Sequence, residues 1–396
     1  MRSATEPAEL SLAQQPSLAE LAVVFLKLGT ISFGGPAAHI AMMEDEFVRK
    51  RQWITRADFL DRLAAANLIP GPSSTEVAIF VGHAKRGWAG LLVAGCCFII
   101  PAAVLVALIA AVYVRFGSLP QVAGVLFTIK AVVIAIILQA LWGLGRTALK
   151  TKGLAIIGIF SIGLNAVGMA PLIVLAIAGL ASLAGLLLAR RGHRTLLAVP
   201  LPQPLALLVG ATATVAMVPI SVLRLFLSFL KIGSVVFGSG YVLLAFLRTE
   251  FIDHLHWITE KQLIDAVAVG QFTPGPVFTT ATFIGYLVAG IPGAVVATLG
   301  IFLPGFLLVA VSGPLIPRIR RSPVAGAFLD GVVAGSLALM AVVAWQLGRA
   351  AISDWLTAVI FVASAVALIR FRVNSAWLIG GAVLIGWIVP LTGLAL

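Results

Sequence analysis

The chain has 396 residues, of which 61% are hydrophobic and 11% charged, and its mean hydropathy is +1.10. Soluble domains are apolar over about half of their residues and charged over about a quarter, so this composition excludes a soluble enzyme or binding module and describes a polytopic membrane protein. The formal net charge of +12 does not imply a nucleic-acid partner, because the basic residues lie in short loops between apolar runs, where membrane orientation requires them.

In chain order, residues 1–20 are expected to be a polar tail rather than a cleaved signal peptide, since they contain no apolar core. A first half is expected over 21–194, with apolar runs near 18–40, 88–114, 121–144, 153–164 and 168–189. Most of these approach the ~20 residues a spanning helix needs; 153–164 is short. Between the first two runs, the segment 57–83 is apolar but interrupted by Pro70-Gly71-Pro72. Proline removes a donor and disfavours helix in the residue before it, so the segment is expected to form two half-helices in a re-entrant hairpin. Cys96 and Cys97 are adjacent in an apolar run and are expected to pack rather than to pair. Residues 195–221 are a connector whose apolar run 205–220 is expected not to cross. The second half, 222–396, repeats the pattern, with runs near 222–247, 290–316, 325–347, 355–369 and 374–394 and a segment 261–287 broken at Pro274-Gly275-Pro276.

The halves are a duplication. Phe25 to Glu76 aligns with Phe229 to Thr280 at a constant shift of 204, without a gap, and 18 of 52 positions are identical, among them Lys27/Lys231, Trp53/Trp257, Asp61/Asp265 and the two Pro-Gly-Pro triplets. In half one, placing the loop after the opening run on the cytoplasmic side gathers Arg49, Lys50, Arg51, Arg56, Arg62, Lys85, Arg86 and six further basic residues there, against Arg2 and Arg115 outside. In half two the bias reverses: Arg248 and Lys261 sit in the matching opening loop, whereas Arg318, Arg320 and Arg321 sit in the next. The fold class expected is therefore an all-α membrane protein of two inverted-topology repeats, each with about five spanning helices and one Pro-Gly-Pro-broken re-entrant hairpin. That pattern is the sequence signature of a secondary transporter, with its site where the breaks of the two halves meet.

The candidate site residues follow from the breaks. Half-helix N-termini leave backbone amides without intrahelical acceptors and carry partial positive charge, so they attract anions. The first break holds Gly34 and Gly35, matched in half two by Gly238, Ser239 and Gly240. The second holds Pro70, Gly71, Pro72, then Ser73, Ser74 and Thr75, matched by Pro274, Gly275, Pro276, then Thr279 and Thr280. Amides and hydroxyls together suit a tetrahedral oxyanion. Lys27 and Lys231 stand in apolar runs near the first break and either offset the charge of an anion or snorkel to the surface. Asn67 and Gln271 precede the second breaks by three residues. Glu76 is the one carboxylate just beyond a break, matched by Thr280; buried, it could carry a proton in exchange, and otherwise it caps a half-helix. Lys130 and Asp330 fall at nearly matching repeat positions and could pair across the pseudo-dyad. The five histidines show no metal-ligand spacing, and no nucleotide-binding loop, nucleophile elbow or paired acid and base is present, so no metal, cofactor or enzymatic activity is expected.

The motifs Phe25-Leu26-Lys27-Leu28-Gly29, Phe33-Gly34-Gly35-Pro36, Ala38-His39-Ile40, Trp53 and Pro70-Gly71-Pro72, with Phe229 to Gly233, Phe237-Gly238-Ser239-Gly240-Tyr241, Trp257-Ile258-Thr259, Pro274-Gly275-Pro276 and Phe302-Leu303-Pro304-Gly305, resemble the chromate ion transporter family in its long, two-domain form. The resemblance implies two family repeats, export of chromate across the plasma membrane (the inner membrane of a bacterium), chromate resistance, and sulfate as the substrate's look-alike. An anion channel is the alternative. The implied partners are the oxyanion, the bilayer and, for assembly, a second copy in a homodimer.

Overall fold

A computed structural model describes residues 15–33, 35–116, 119–190, 220–237, 242–312 and 322–388; among them there is no strand. The opening apolar run, expected as one span over 18–40, is instead a hairpin. Helix α1 (Leu18–Ile31) starts where the Ser17 hydroxyl accepts from the Glu20 amide, and it stops at Ser32, whose backbone is extended. Gly35 takes a φ of +77°, a left-handed conformation that glycine tolerates. Helix α2 (Gly35–Glu44) and a π-helical turn (Asp45–Lys50) then run back along α1. The pairing of Phe25 with Phe47 at 5.1 Å and of Glu20 with Arg51 at 2.7 Å fixes the antiparallel direction.

The second hairpin is as expected. The Thr55 hydroxyl caps α3 (Arg56–Ala66), the Pro-Gly-Pro segment turns the chain, and α4 (Ser73–Phe116) leaves it. Within α4 the backbone departs from helix at Arg86 and Gly87. There α4a (73–85) reverses into α4b (88–116), and Gly82 and Gly90 touch so closely that a Cβ on either would lie 2.3 Å or less from the other's carbonyl oxygen. Then follow α5 (Pro120–Ala148), α6 (Lys152–Ala166) and α7 (Pro171–Arg190).

Half two rebuilds this with α8 (Val222–Gly233), the short α9 (Leu243–Leu247) and its π-helical turn (Arg248–His254), α10 (Glu260–Phe272), α11 (Thr280–Ser312), α12 (Pro323–Ala351), α13 (Trp355–Arg370) and α14 (Ser375–Ile388). Phe229 meets Phe251 at 4.8 Å as Phe25 meets Phe47. The reversal recurs at Ala289–Gly290, dividing α11 into α11a (280–288) and α11b (291–312). Here the repeat shift is 203, so half two is one residue shorter between its tip and its reversal. The lost residue is made up by the 3₁₀ turn Val277–Thr279: with its larger rise per residue, both arms cover about 20 Å.

Equivalent helices run antiparallel. Gly95 of α4b packs on the Phe306 ring of α11b, while Ile100 to Ala107 face Ile291 to Leu299. Likewise Gly145 of α5 faces Leu337 of α12, and Ile134 faces Gly348. Two repeats related by an in-plane axis must show this, whereas parallel repeats would place equivalent helices side by side in one direction. The halves also exchange partners: α5 packs on α13 and α14, and α12 on α6 and α7. The Thr128 hydroxyl donates to the Ala382 carbonyl at 2.7 Å, and the Gln139 amide to the Leu368 carbonyl at 3.3 Å. Among the described residues five helices are long and apolar enough to cross a membrane, those within α4, α5, α7, α11 and α12. The expected connector run 205–220 lies outside the described residues up to 219.

Candidate functional site at the hairpin tips

The broken ends of the two halves meet and bond reciprocally. The Gly275 amide donates to the Ser32 carbonyl at 2.9 Å, and the Gly71 amide to the Val236 carbonyl at 2.8 Å. These are equivalent pairs, since Ser32 and Val236, like Gly71 and Gly275, differ by the repeat shift of 204. Each half's Pro-Gly-Pro tip is thus pinned to the other half's first break, and two of the expected anion-binding amides already have acceptors. Both glycines have positive φ, +131° at Gly71 and +86° at Gly275. A Cβ on Gly275 would lie 2.7 Å from that of Ala102 and 3.2 Å from the Gly29 carbonyl oxygen, so the tip of half two is wedged between α1 and α4b.

Around this shared framework the two junctions differ in chemistry. In half one, Ser73, Ser74, Thr75 and Glu76 form the buried first turn of α4a. The Thr75 and Glu76 amides return to the Pro72 carbonyl; that of Ser74, by position, has no intrahelical acceptor. His39 of α2 lies across the gap, 1% exposed, with Nδ1 3.3 Å from the Ser74 hydroxyl and its ring edge-on to Phe98. Four buried polar atoms here have no hydrogen-bond partner: the hydroxyls of Ser32 and Thr75 and both carboxyl oxygens of Glu76. The Glu76 carboxyl, fully buried, lies against the Cα of Gly71 and fills space left by Gly305 of α11b, where an added Cβ would sit 3.8 Å away. Buried polar groups are nearly always paired, and an unpaired one costs about 1–3 kcal/mol.

In half two the equivalents are Val236, Leu243 and Phe278, and the remaining hydroxyls are satisfied within their own turn. Thr279 donates to the Pro276 carbonyl and Thr280 to that of Val277, each at 2.8 Å, and Thr282 pairs with Thr298. The structure therefore sets Pro70 to Glu76 against the first break of half two and Pro274 to Thr280 against that of half one, and it makes only the half-one junction polar.

Other expected site residues lie elsewhere. Lys27 and Lys231 are on the exposed sides of α1 and α8, and Lys231 is bound to Glu250 at 2.7 Å. Asn67 is exposed at the end of α3, and Gln271 is half-buried near the end of α10. Gly35 opens α2, whereas Gly34, Gly238, Ser239 and Gly240 lie outside the described residues. Lys130 does not pair with Asp330, which is bound to Lys150. Lys130 instead meets Asp265 of α10 at 3.0 Å, and the Tyr113 hydroxyl donates to the other Asp265 oxygen at 2.9 Å. This carboxylate is fully buried and held by α4b and α5, whereas its repeat counterpart Asp61 is exposed. His39 was missed because no spacing rule selects it; its burial beside Ser74 emerges only when α2 folds back.

Inverted repeats whose broken helices meet, each tip against the other half's first break, define an α-helical membrane transporter. The chain belongs to the chromate transporter family, which it matches twice, over residues 19–183 and 223–387. It is similar to the chromate transport protein of Cupriavidus metallidurans, 34% identical over 93% of this chain and 92% of that one, and to the probable chromate transport protein of Synechococcus elongatus, 32% identical over 92% and 91%. The chromate transport protein of Pseudomonas aeruginosa is 32% identical over 85% of this chain and 82% of its own length. No solved structure matches the chain. The long apolar helices and this family place it as a multi-pass protein of the plasma membrane.

Proposed function

We propose that the protein is a secondary carrier that exports chromate from the cytoplasm and so confers chromate resistance, with the oxyanion seated at the half-one tip. The observation that carries the reading is the group of unpartnered polar atoms on Ser32, Thr75 and Glu76 beside the N-terminal amides of α4a. A tetrahedral dianion accepts hydrogen bonds from several directions, and the hydroxyls of Ser32 and Thr75 with the amide of Ser74 are donors of the kind it needs. The names of the similar proteins supply chromate as the substrate; sulfate, of like shape and charge, is the natural competitor.

Glu76 makes the site conditional. Two like charges 4 Å apart repel by about 4 kcal/mol at an effective dielectric of 20, so a dianion and an ionised Glu76 do not share this space. The carboxyl carries its proton while the anion is bound, where it donates rather than repels, and proton movement is thereby coupled to anion movement. An inside-negative potential drives each net negative charge outward by about 2.3 kcal/mol per 100 mV, which supplies export without nucleotide hydrolysis. The reciprocal tip bonds hold the two halves together at this site, so in the proposed carrier the anion's passage requires Gly71 and Val236, or Gly275 and Ser32, to part.

The test is flux of labelled chromate in proteoliposomes under imposed potential and pH gradients, with sulfate as competitor. Saturable, potential-dependent flux is expected, and absence of any oxyanion flux would refute the carrier; non-saturating currents would identify a channel. In Glu76→Gln the pH dependence of flux should disappear, because the amide donates permanently. Unchanged pH dependence would remove Glu76 from coupling while leaving the hydroxyl and amide site in place.

A further inference from the structure

Away from the tips, two adjoining cavities share Trp345 and Arg349 at the end of α12. One, of about 530 Å³, is lined by Arg248, Glu260, Gln346 and Arg349; the other, of about 490 Å³, is an apolar groove between α5 and α12 with Phe361 of α13 at its side. Arg248 is bound to Glu260 through Nη2, but its Nη1 is buried with no hydrogen-bond partner. The groove leads away from the arginines: it passes from Ile134 and Gly348 to Leu141 and Ala341, about 10 Å along two antiparallel helices.

We propose that these two cavities together form a binding site for an anionic phospholipid, its phosphate held by Arg248 and Arg349 and one acyl chain lying in the groove. The polar compartment offers guanidinium donors, one of them unsatisfied, which is the geometry that recognises phosphate. The apolar compartment begins where those donors end, as a lipid requires and a free inorganic anion does not. Trp345, 70% exposed, stands where the two meet, the position that tryptophan favours at membrane interfaces. The site is particular to half two. Trp142 and Arg146 match Trp345 and Arg349, but the pair Arg248–Glu260 is reversed in half one to Glu44–Arg56, so a carboxylate occupies the repeat position of Arg248.

The full chain in nanodiscs of phosphatidylcholine tests this. Doping with phosphatidylglycerol brominated on its acyl chains should quench the fluorescence of Trp345, isolated by difference from Trp345→Phe, more strongly than the same amount of brominated phosphatidylcholine. Arg349→Gln, which breaks no ion pair among the described residues, should abolish the difference while leaving chromate flux saturable. Equal quenching by the two brominated lipids in the wild-type chain overturns the proposal, and so does relief of the quenching by inorganic phosphate, which would identify a free-anion site.

Discussion

The two hairpin tips share a backbone and differ in nearly every functional side chain. Each presents Pro-Gly-Pro, each donates a glycine amide to the opposite half, and each is followed by a helix that reverses at a left-handed glycine. Yet Ser32, His39, Ser74 and Glu76 in one become Val236, Leu243, Phe278 and Thr280 in the other. Duplication supplied a symmetric frame, and divergence left one junction with unsatisfied polar atoms and the other self-satisfied and apolar. The backbone is thus symmetric where the two halves bond, and the side chains are asymmetric at the junction where the proposed anion site lies.

The frame is the most sensitive part. Gly275→Val combines a positive φ, costing about 1–2 kcal/mol, with overpacking against Ala102 and Gly29, costing about 1–3 kcal/mol. Gly71→Val meets instead the movable carboxyl of Glu76. Flux should vanish in both, but thermal unfolding should fall further for Gly275→Val. Equal destabilisation would mean that the two tips are not packed as differently as their neighbours indicate.

The next test concerns how each hairpin is anchored. Lys130→Met strands Asp265 in the core beside Tyr113, and removal of one partner of a buried pair costs about 3–5 kcal/mol. Adding Asp265→Asn should recover much of the lost stability, and Asp61→Asn, on an exposed residue of half one, should change little. If Asp61→Asn is as damaging as Asp265→Asn, the anchoring is symmetric and the comparison fails.

The smallest effects belong to the paired lysines. Lys231→Ala removes an exposed ion pair with Glu250, worth about 0–1 kcal/mol. Lys27→Ala removes an exposed charge from the corresponding face. Neither should alter the apparent affinity for chromate by more than about twofold, a change worth less than 1 kcal/mol. A tenfold loss in either would return that lysine to the anion's path.

Much of the fold was legible in the residues. Hydropathy located the long helices, the Pro-Gly-Pro triplets located the second hairpins, and the reversed charge bias gave inversion before any coordinates, because those signals are local and set by backbone chemistry and by the bilayer. The opening hairpin was not legible: an apolar run of about the right length reads as a span, and only the extended Ser32, the left-handed Gly35 and the Phe25–Phe47 and Glu20–Arg51 contacts turn it back.

By itself the sequence determined that two related, oppositely oriented halves bring glycine- and proline-broken helices into one membrane protein, since composition, repeat spacing and loop charge depend on no distant contact. Only the tertiary structure decided which residues the breaks bring together. The reciprocal tip bonds join residues some 200 positions apart in sequence, Lys130 finds Asp265 rather than Asp330, and Glu76 is left without a partner because Gly71 and Gly305 close around it. Pairing and burial are properties of neighbours in space, and in a chain whose halves exchange helices those neighbours come from the other half.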